Sequence, residues 1–350
     1  MKFYCILSLI VLVGTCAKPK YSAKLQSIQD NIIIVDSALV MEYANTITKE
    51  ELKKSLYEFS SDDFLGRRVG SEGQKLASNY LKSYYKREGI KSPFGEDNYY
   101  QTIPASFFYN KFKSSENVLA YIEGSEKPDE VIIISAHLDH LGVSDDGLIN
   151  NGADDDGSGT VALMEMAQAF KMAKQKGFGP KRSILFLHLT AEEIGKRGSE
   201  YYVKHPVFLL NNTIANLNID MIGRVDDAHK NNKDYLYLIG TDRLSKELHY
   251  ISEKINYTFF NINLDYRFNA ENDKNNYYER SDHYNFAFHD IPVIFYFNGE
   301  HKDYHKVTDT PDKIDYPLLE RRTKLIFTTA WQIANQEHRL AIDENNELLK

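Results

Sequence analysis

Six short apolar runs recur along the chain and set its architecture. Residues 131–135 read Val-Ile-Ile-Ile-Ser, and 117–122, 183–189, 213–219, 235–240 and 292–297 are of the same kind. Runs of this length without polar alternation mark strands covered on both faces, the usual condition of a parallel sheet. Helical spacing fills the gaps between them. Residues 158–174 put Val161, Met164, Ala167 and Met172 on one side, and 316–335 carry Leu318, Leu325 and Trp331. Nearer the N-terminus, Thr48 precedes Glu51 by three residues and Ser71 precedes Gln74 by three, the spacing of a capping box. The first opens a helix with Leu52, Leu56 and Phe59 inward. The second opens one carrying Leu76, Tyr80, Leu81 and Tyr84, which Gly89 stops. Residues 92–116 are polar and irregular, with an edge strand expected at 100–103. Strands alternating with helices predict an α/β fold, a three-layer sandwich with a mostly parallel central sheet. No repeat and no linker rich in Pro, Gly or Ser interrupts the pattern. One domain over 18–350 is expected, with N-terminal helices within 46–89 packed on it.

Composition narrows the function. The chain has 350 residues, 42% hydrophobic and 26% charged, enough for a sizeable core. Its 42 Lys+Arg against 50 Asp+Glu give a formal net charge of −8, which supplies no field for a phosphate backbone and excludes a nucleic-acid partner. Cys5 and Cys16 are the only cysteines, so nothing beyond residue 16 forms a disulfide or a thiolate metal site. Lys2 is followed by an apolar run from Phe3 to Val13. That is too short to span a bilayer, which takes about 20 residues. It fits the hydrophobic region of an export signal over 1–17. Cleavage before Cys16 gives a lipoprotein with a lipid anchor there, although Thr15 departs from the small residue usual at that point. Cleavage after Ala17 gives a freely secreted chain. The expected location is accordingly periplasmic, outer-membrane or secreted, with no membrane span.

Candidate chemistry gathers at strand ends. His137 and Asp139 follow the run 131–135, Glu192 and Glu193 follow 183–189, and Asp220 follows 213–219. Open α/β sheets bind ligands beyond the carboxyl ends of their strands, where loops converge on a crevice. A turn reading Gly-Ala-Asp-Asp-Asp-Gly-Ser-Gly over 152–159 feeds the helix at 158, and Ser281-Asp282-His283 and Tyr304-His305 flank 292–297. Each cluster has a plain reading as well. His-Leu-Asp after a strand suits a hydrogen-bonded loop, the Asp triplet suits a helix N-cap, and Glu192-Glu193 suit a solvated helical turn. A calcium loop fails: with Gly157 at the sixth EF-hand position, the first is Gly152 and the twelfth Leu163. Together the clusters offer two imidazoles and three carboxylates, a nitrogen and oxygen set suited to zinc with open positions. Two ions about 3.5–4 Å apart need a bridging carboxylate. A further carboxylate outside the ligand set must then take the proton of their shared water, and two adjacent glutamates supply both roles.

The order HLDH, GADDDGSG, AEE, NIDM and YHKVTDT resembles the M28 family of co-catalytic zinc aminopeptidases, over roughly residues 71–315. The resemblance implies the zinc-peptidase (phosphorylase/hydrolase-like) fold and two Zn2+ ions. One would be held by His137 and Asp220, the other by Glu193 and His305, with Asp155 shared. Glu192 matches the general base, and Asp139 the residue that orients His137 through its other ring nitrogen. Tyr304 stands where some members place a tyrosine against the tetrahedral oxyanion. Members also carry a non-proline cis peptide after the bridging aspartate, here Asp155–Asp156. The chain departs from the pattern at His140, where many aminopeptidases have Ser, and this is read as a rim or loop histidine. Asp282 and His283 resemble a family motif and are read as site wall without metal contact. Asp309 is read as a buttress of the His305 loop. His188, His205, His229, His249, His289 and His301 have no motif context and are read as structural or solvated.

The implied activity is zinc-dependent exopeptidase action on peptides with a free N-terminus, by a hydroxide bridging two zinc ions. Three other readings accompany it. A carboxypeptidase or dipeptidase of the same family would need an arginine for the substrate carboxylate, and Arg224 is the candidate. A glutaminyl cyclase shares the fold but uses one zinc for an intramolecular acyl transfer. A binding protein on this fold would have lost ligands.

Overall fold

The computed structural model describes residues 21–95 and 97–345; the expected export segment, with Cys5 and Cys16, lies outside the described residues. The strands are β1 Tyr100–Ile103, β2 Ser115–Ile122, β3 Lys127–His137, β4 Gly142–Val143, β5 Ile149–Asn150, β6 Arg182–Leu189, β7 Thr213–Ile219, β8 Tyr235–Ile239, β9 Asn263–Asp265 and β10 Val293–Phe297. The α-helices are α1 Tyr21–Asn31, α2 Ser37–Ala44, α3 Lys49–Phe59, α4 Glu72–Arg87, α5 Gly159–Gln175, α6 Arg197–Lys204, α7 Lys246–Ile255, α8 His283–Ala287 and α9 Tyr316–Asn335. Each of the six apolar runs is a strand.

Eight strands form one sheet in the order β1-β2-β6-β3-β7-β10-β8-β9, and β4 and β5 make a separate hairpin. The middle of the sheet, β6-β3-β7-β10, is parallel throughout. The remaining pairings are antiparallel except β8 with β9. The four parallel strands therefore deliver their carboxyl ends to one edge. Strand periodicity divides their side chains between two cores. Ile132, Ile134, Ile184 and Phe186 pack against α3, α4, α5 and α9 through residues such as Leu56, Leu81, Phe170 and Trp331. Val131, Ile133, Leu185 and Leu187 face the other way, onto Tyr202 of α6 and Phe286 of α8. That is the expected three-layer sandwich.

Both capping residues act as read: Thr48 Oγ1 accepts from Glu51 N, and Ser71 Oγ accepts from Gln74 N. Met172, expected inward, and two further apolar residues of the expected helices do not take core positions. Leu76 is 43% exposed, because α4 turns Ala77, Leu81 and Tyr84 to the core and leaves Leu76 about 100° away. Met172 is 39% exposed, since the last inward turn of α5 uses Ala169, Phe170 and Ala173. Leu318 is half-buried, and its neighbour Leu319 takes the core position. Among the described residues, no helix is long and apolar enough to cross a membrane.

Candidate metal centre

Each candidate side chain sits where a strand ends or a turn is fixed by hydrogen bonds. His137 is the last residue of β3, and its backbone N–H donates to Asp156 Oδ2 at 3.1 Å. Asp156 Oδ1 accepts from Gly159 N and Met221 N, both at 3.0 Å. One carboxylate thus caps α5 and ties the ends of β3 and β7 to the Asp triplet, so the N-cap reading holds for Asp156. Asp309 Oδ2 accepts from Asp154 N at 2.9 Å and Asp155 N at 3.1 Å. Asp309 therefore buttresses the Asp triplet directly. The Asp155–Asp156 peptide is cis. Ala191, Met221 and His305, all on these loops, have φ of 61°, 66° and 57°. Left-handed backbone at non-glycine residues carries strain and concentrates at functional sites.

The five side chains expected to meet do so, around Asp155. His137 Nε2 is 3.1 Å from Asp155 Oδ1 and 3.6 Å from Asp220 Oδ1. His305 Nε2 is 3.1 Å from Asp155 Oδ2 and 3.3 Å from Glu193 Oε2. The two oxygens of Asp155 are thus addressed by different histidines. His140 overturns its assignment to the rim. It is fully buried, with Nδ1 2.8 Å from Glu193 Oε1 and 3.7 Å from Asp155 Oδ2. Among the described residues, His137/Asp155/Asp220 and His140/Asp155/Glu193 are groups compact enough to surround an ion. With no thiolate and nitrogen and oxygen donors on both sides of one carboxylate, the residues present fit a pair of zinc ions.

Behind the donors lies a second set of contacts. His137 Nδ1 meets the Asp139 backbone carbonyl at 3.1 Å and the Asp139 carboxylate only at 3.8 Å. That carboxylate instead accepts from Glu192 N at 3.1 Å. Ser281 Oγ donates to Asp220 Oδ2 at 2.7 Å and accepts from Asn218 Nδ2 at 2.9 Å. Asn218 Oδ1 in turn accepts from Ser135 Oγ, which accepts from Asn216 Nδ2. Asp282 Oδ1 accepts from Ser199 Oγ, and His283 is buried in the wall against Phe295. His301 Nε2 lies 3.1 Å from Asp154 Oδ2, one residue from Asp155. The Tyr304 ring stacks on His305 with centroids 3.9 Å apart.

Arg67 is fully buried beneath these loops. Its guanidinium donates to the carbonyls of Leu138, Phe59, Asn151 and Gly152. Burial lowers its pKa to about 10, partly offset by Asp155, Asp139, Asp309 and Asp156. Sequence reasoning passed over Arg67, which no pattern marks, and gave Ser281 no role of its own. His301, read as structural or solvated, proves to contact Asp154 beside the donors.

Crowding sets the charges. Burial raises the Asp139 carboxyl to about 7, with His137 opposing and Glu193 adding to the rise. Burial also carries Glu192 well above the usual carboxylate range; His137 opposes this and Asp282, Asp220 and Glu193 reinforce it. Burial works against charge on His305 too, but hydrogen bonds to Asp155 and Glu193 lift it to about 10. Burial, Asp155, Asp220 and Glu193 together raise the Tyr304 hydroxyl, which stays protonated.

Comparison with known proteins gives the family. A probable glutamate carboxypeptidase of Arabidopsis thaliana, LAMP1, is 37% identical over 106 residues, 30% of this chain and 14% of that one. The chain therefore spans a small part of that relative's length. A probable aminopeptidase of Saccharomyces cerevisiae, YDR415C, is 26% identical over 268 residues, covering 72% of this chain and 69% of that one. The solved structure of BSAP, a zinc aminopeptidase from Bacillus subtilis, superposes with a TM-score of 0.65 at 16% identity, covering 83% of this chain and 96% of that one. It shares the central sheet flanked by helices. The model of Peptidase family M28 matches residues 117–330, which contain every candidate metal donor. The chain belongs to Peptidase family M28.

Proposed function

We propose that the protein is a zinc-dependent exopeptidase that removes N-terminal residues from peptides with a free N-terminus. The observation that carries this reading is Asp155, whose two oxygens face His137 and His305 at 3.1 Å each. His137, Asp220 and Asp155 would hold one zinc ion, and Glu193, His305 and Asp155 the other. When bound, such ions polarise a carbonyl and make a nucleophile of water at neutral pH. The chain's own residues do the rest. Glu192, outside the donor set, takes the proton of the attacking water and returns it to the leaving amine. Burial raises its pKa, with Asp282, Asp220 and Glu193 adding to the rise, so it holds a proton more readily than an ordinary carboxylate. Asp139 holds the Glu192 backbone, and the neutral Tyr304 hydroxyl is the donor for the oxyanion. The surplus carboxylates attract an α-ammonium group.

Arg224 no longer favours a carboxypeptidase. It is committed to Asp303 at 2.8 Å and lies 3.8 Å from Asp309. The carboxypeptidase reading keeps one foothold in Arg280, which adjoins Ser281, pairs with Glu300 at 2.9 Å and acts electrostatically on Tyr304. A panel of aminoacyl chromogenic substrates, free and N-blocked, beside peptides with free and amidated C-termini, separates the two. Cleavage confined to free N-termini and abolished by chelation is expected. Cleavage that tolerates a blocked N-terminus but requires a free carboxylate assigns the protein to the carboxypeptidases. The apolar run at 3–13 supports export, with Cys16 as lipid attachment point or Ala17 as cleavage residue.

A further inference from the structure

The histidine that replaces the usual serine after His-Leu-Asp is part of the centre. We propose that His140 is a positioning residue: its Nδ1–H donates to Glu193 Oε1 and leaves only Oε2 to face the shared site. This rests on the reading of Glu193 as a metal ligand. Four observations carry it. The contact is 2.8 Å, a full hydrogen bond, while Glu193 Oε2 turns toward His305 Nε2 at 3.3 Å. The imidazole is fully buried, so water does not compete for the bond. Its place is built by the chain: a Cβ on Gly152 would lie 2.5 Å from His140 Cγ and Cδ2, and Gly152 has φ +53°. Arg67 fixes both sides of that slot, accepting from His140 N through its own carbonyl and donating to Gly152 O.

Direct ligation by His140 fits less well. A metal-bound histidine donates its other ring N–H to a partner. His140 Nε2 is buried and has no hydrogen-bond partner. With the proton on Nδ1, Nε2 is an unpaired acceptor; with Nδ1 on a metal, it would be an unpaired N–H, which is rarer in protein interiors. The bond has a chemical consequence. A glutamate free to rotate can chelate one ion with both oxygens, whereas a pinned glutamate offers one and keeps a coordination position open for substrate.

The test uses the full chain stripped of metal and titrated with Zn2+, with Co2+ absorption as a second readout and a melting curve to confirm folding. Asn carries an N–H donor near the place of Nδ1, and Gln carries one near Nε2. Wild type should take two ions. His140→Ala and His140→Gln should lose about 10–100-fold in affinity at one position only and change its Co2+ spectrum. His140→Asn should stay within about threefold of wild type. Equal impairment of Asn and Ala variants, or wild-type affinity at both positions in the Ala variant, overturns the proposal. Binding of one ion or none by wild type instead overturns the dinuclear reading on which it rests. Should the variants fail to fold, 15N-edited NMR of the wild-type imidazoles decides: a proton on Nδ1 of His140 is expected, and a proton on Nε2 alone defeats the claim.

Discussion

Glu192 and Glu193 are neighbours in sequence under opposite electrostatic demands. Burial raises both, and Asp155 raises Glu193 further, but hydrogen bonds from His140 and His305 bring Glu193 below its ordinary value. Glu192 has no such donors and ends well above. One is thereby suited to ligate and the other to carry a proton. Glu192→Gln should retain both ions by elemental analysis and lose about 10²–10⁴-fold in kcat, the usual share of a general base. Substantial turnover in that variant would remove the assigned base. Arg67 matters for a different reason: it satisfies four carbonyls, three of them in segments remote from it in sequence. Orphaning a buried acceptor costs about 1–3 kcal/mol. Arg67→Met is expected to lower stability to urea by at least about 3 kcal/mol. The ligand-type residues were legible because their chemistry is unusual at strand ends. Arg67 and the burial of His140 were not, since both depend on which backbone atoms the fold brings near them.

Elements were legible in proportion to their apolar content. The six runs became strands within a few residues, because a parallel strand buried on both faces has no polar position to disguise it. α1 gave no signal: Ile28 is its one buried residue. α7 does carry a readable pattern, Leu248, Ile251 and Ile255 behind a Ser245 cap, in a helix short enough to be overshadowed by the strands around it. β9, with three residues, is too short for any periodicity. Aromatic side chains join α5 to α9. Phe170 lies 4.5 Å from Phe327 and stacks on Trp331 at 5.8 Å, measured between ring centroids. Phe170→Ala should cost about 3–5 kcal/mol by leaving a cavity there. Zinc affinity should stay within about threefold, because the turn at the start of α5 is held by Asp156 and Asp309. A large loss of affinity in a folded Phe170→Ala protein would show that this core, and not those carboxylates, sets the site.

At the scale of the whole molecule, the sheet order could not be read from the pattern, because strand order depends on how crossovers are wound and not on the strands themselves. The convergence of donors on one edge could be read, since parallel strands point their carboxyl ends the same way. Two fully buried imidazoles away from the donors add a global property. Burial lowers both His188 and His283 to about 3 from 6.5. Between those values the unfolded chain binds a proton that the folded one refuses, so stability rises with pH and falls on acidification. Each contributes a slope of about 1.4 kcal/mol per pH unit in that window. His188 Nε2 meets Tyr85 Oη at 2.6 Å, a contact glutamine can approximate. Urea unfolding of His188→Gln should show a slope shallower by about one proton between pH 3 and 6.5; an unchanged slope would mean that His188 is charged when folded. The donors themselves come from five segments scattered between residues 137 and 305. A pair of ions held among them would act as a removable cross-link in a chain with no cysteine after residue 16, stabilising the folded state because only that state brings the donors together. Metal supply would then govern how long the folded protein survives as well as whether it works.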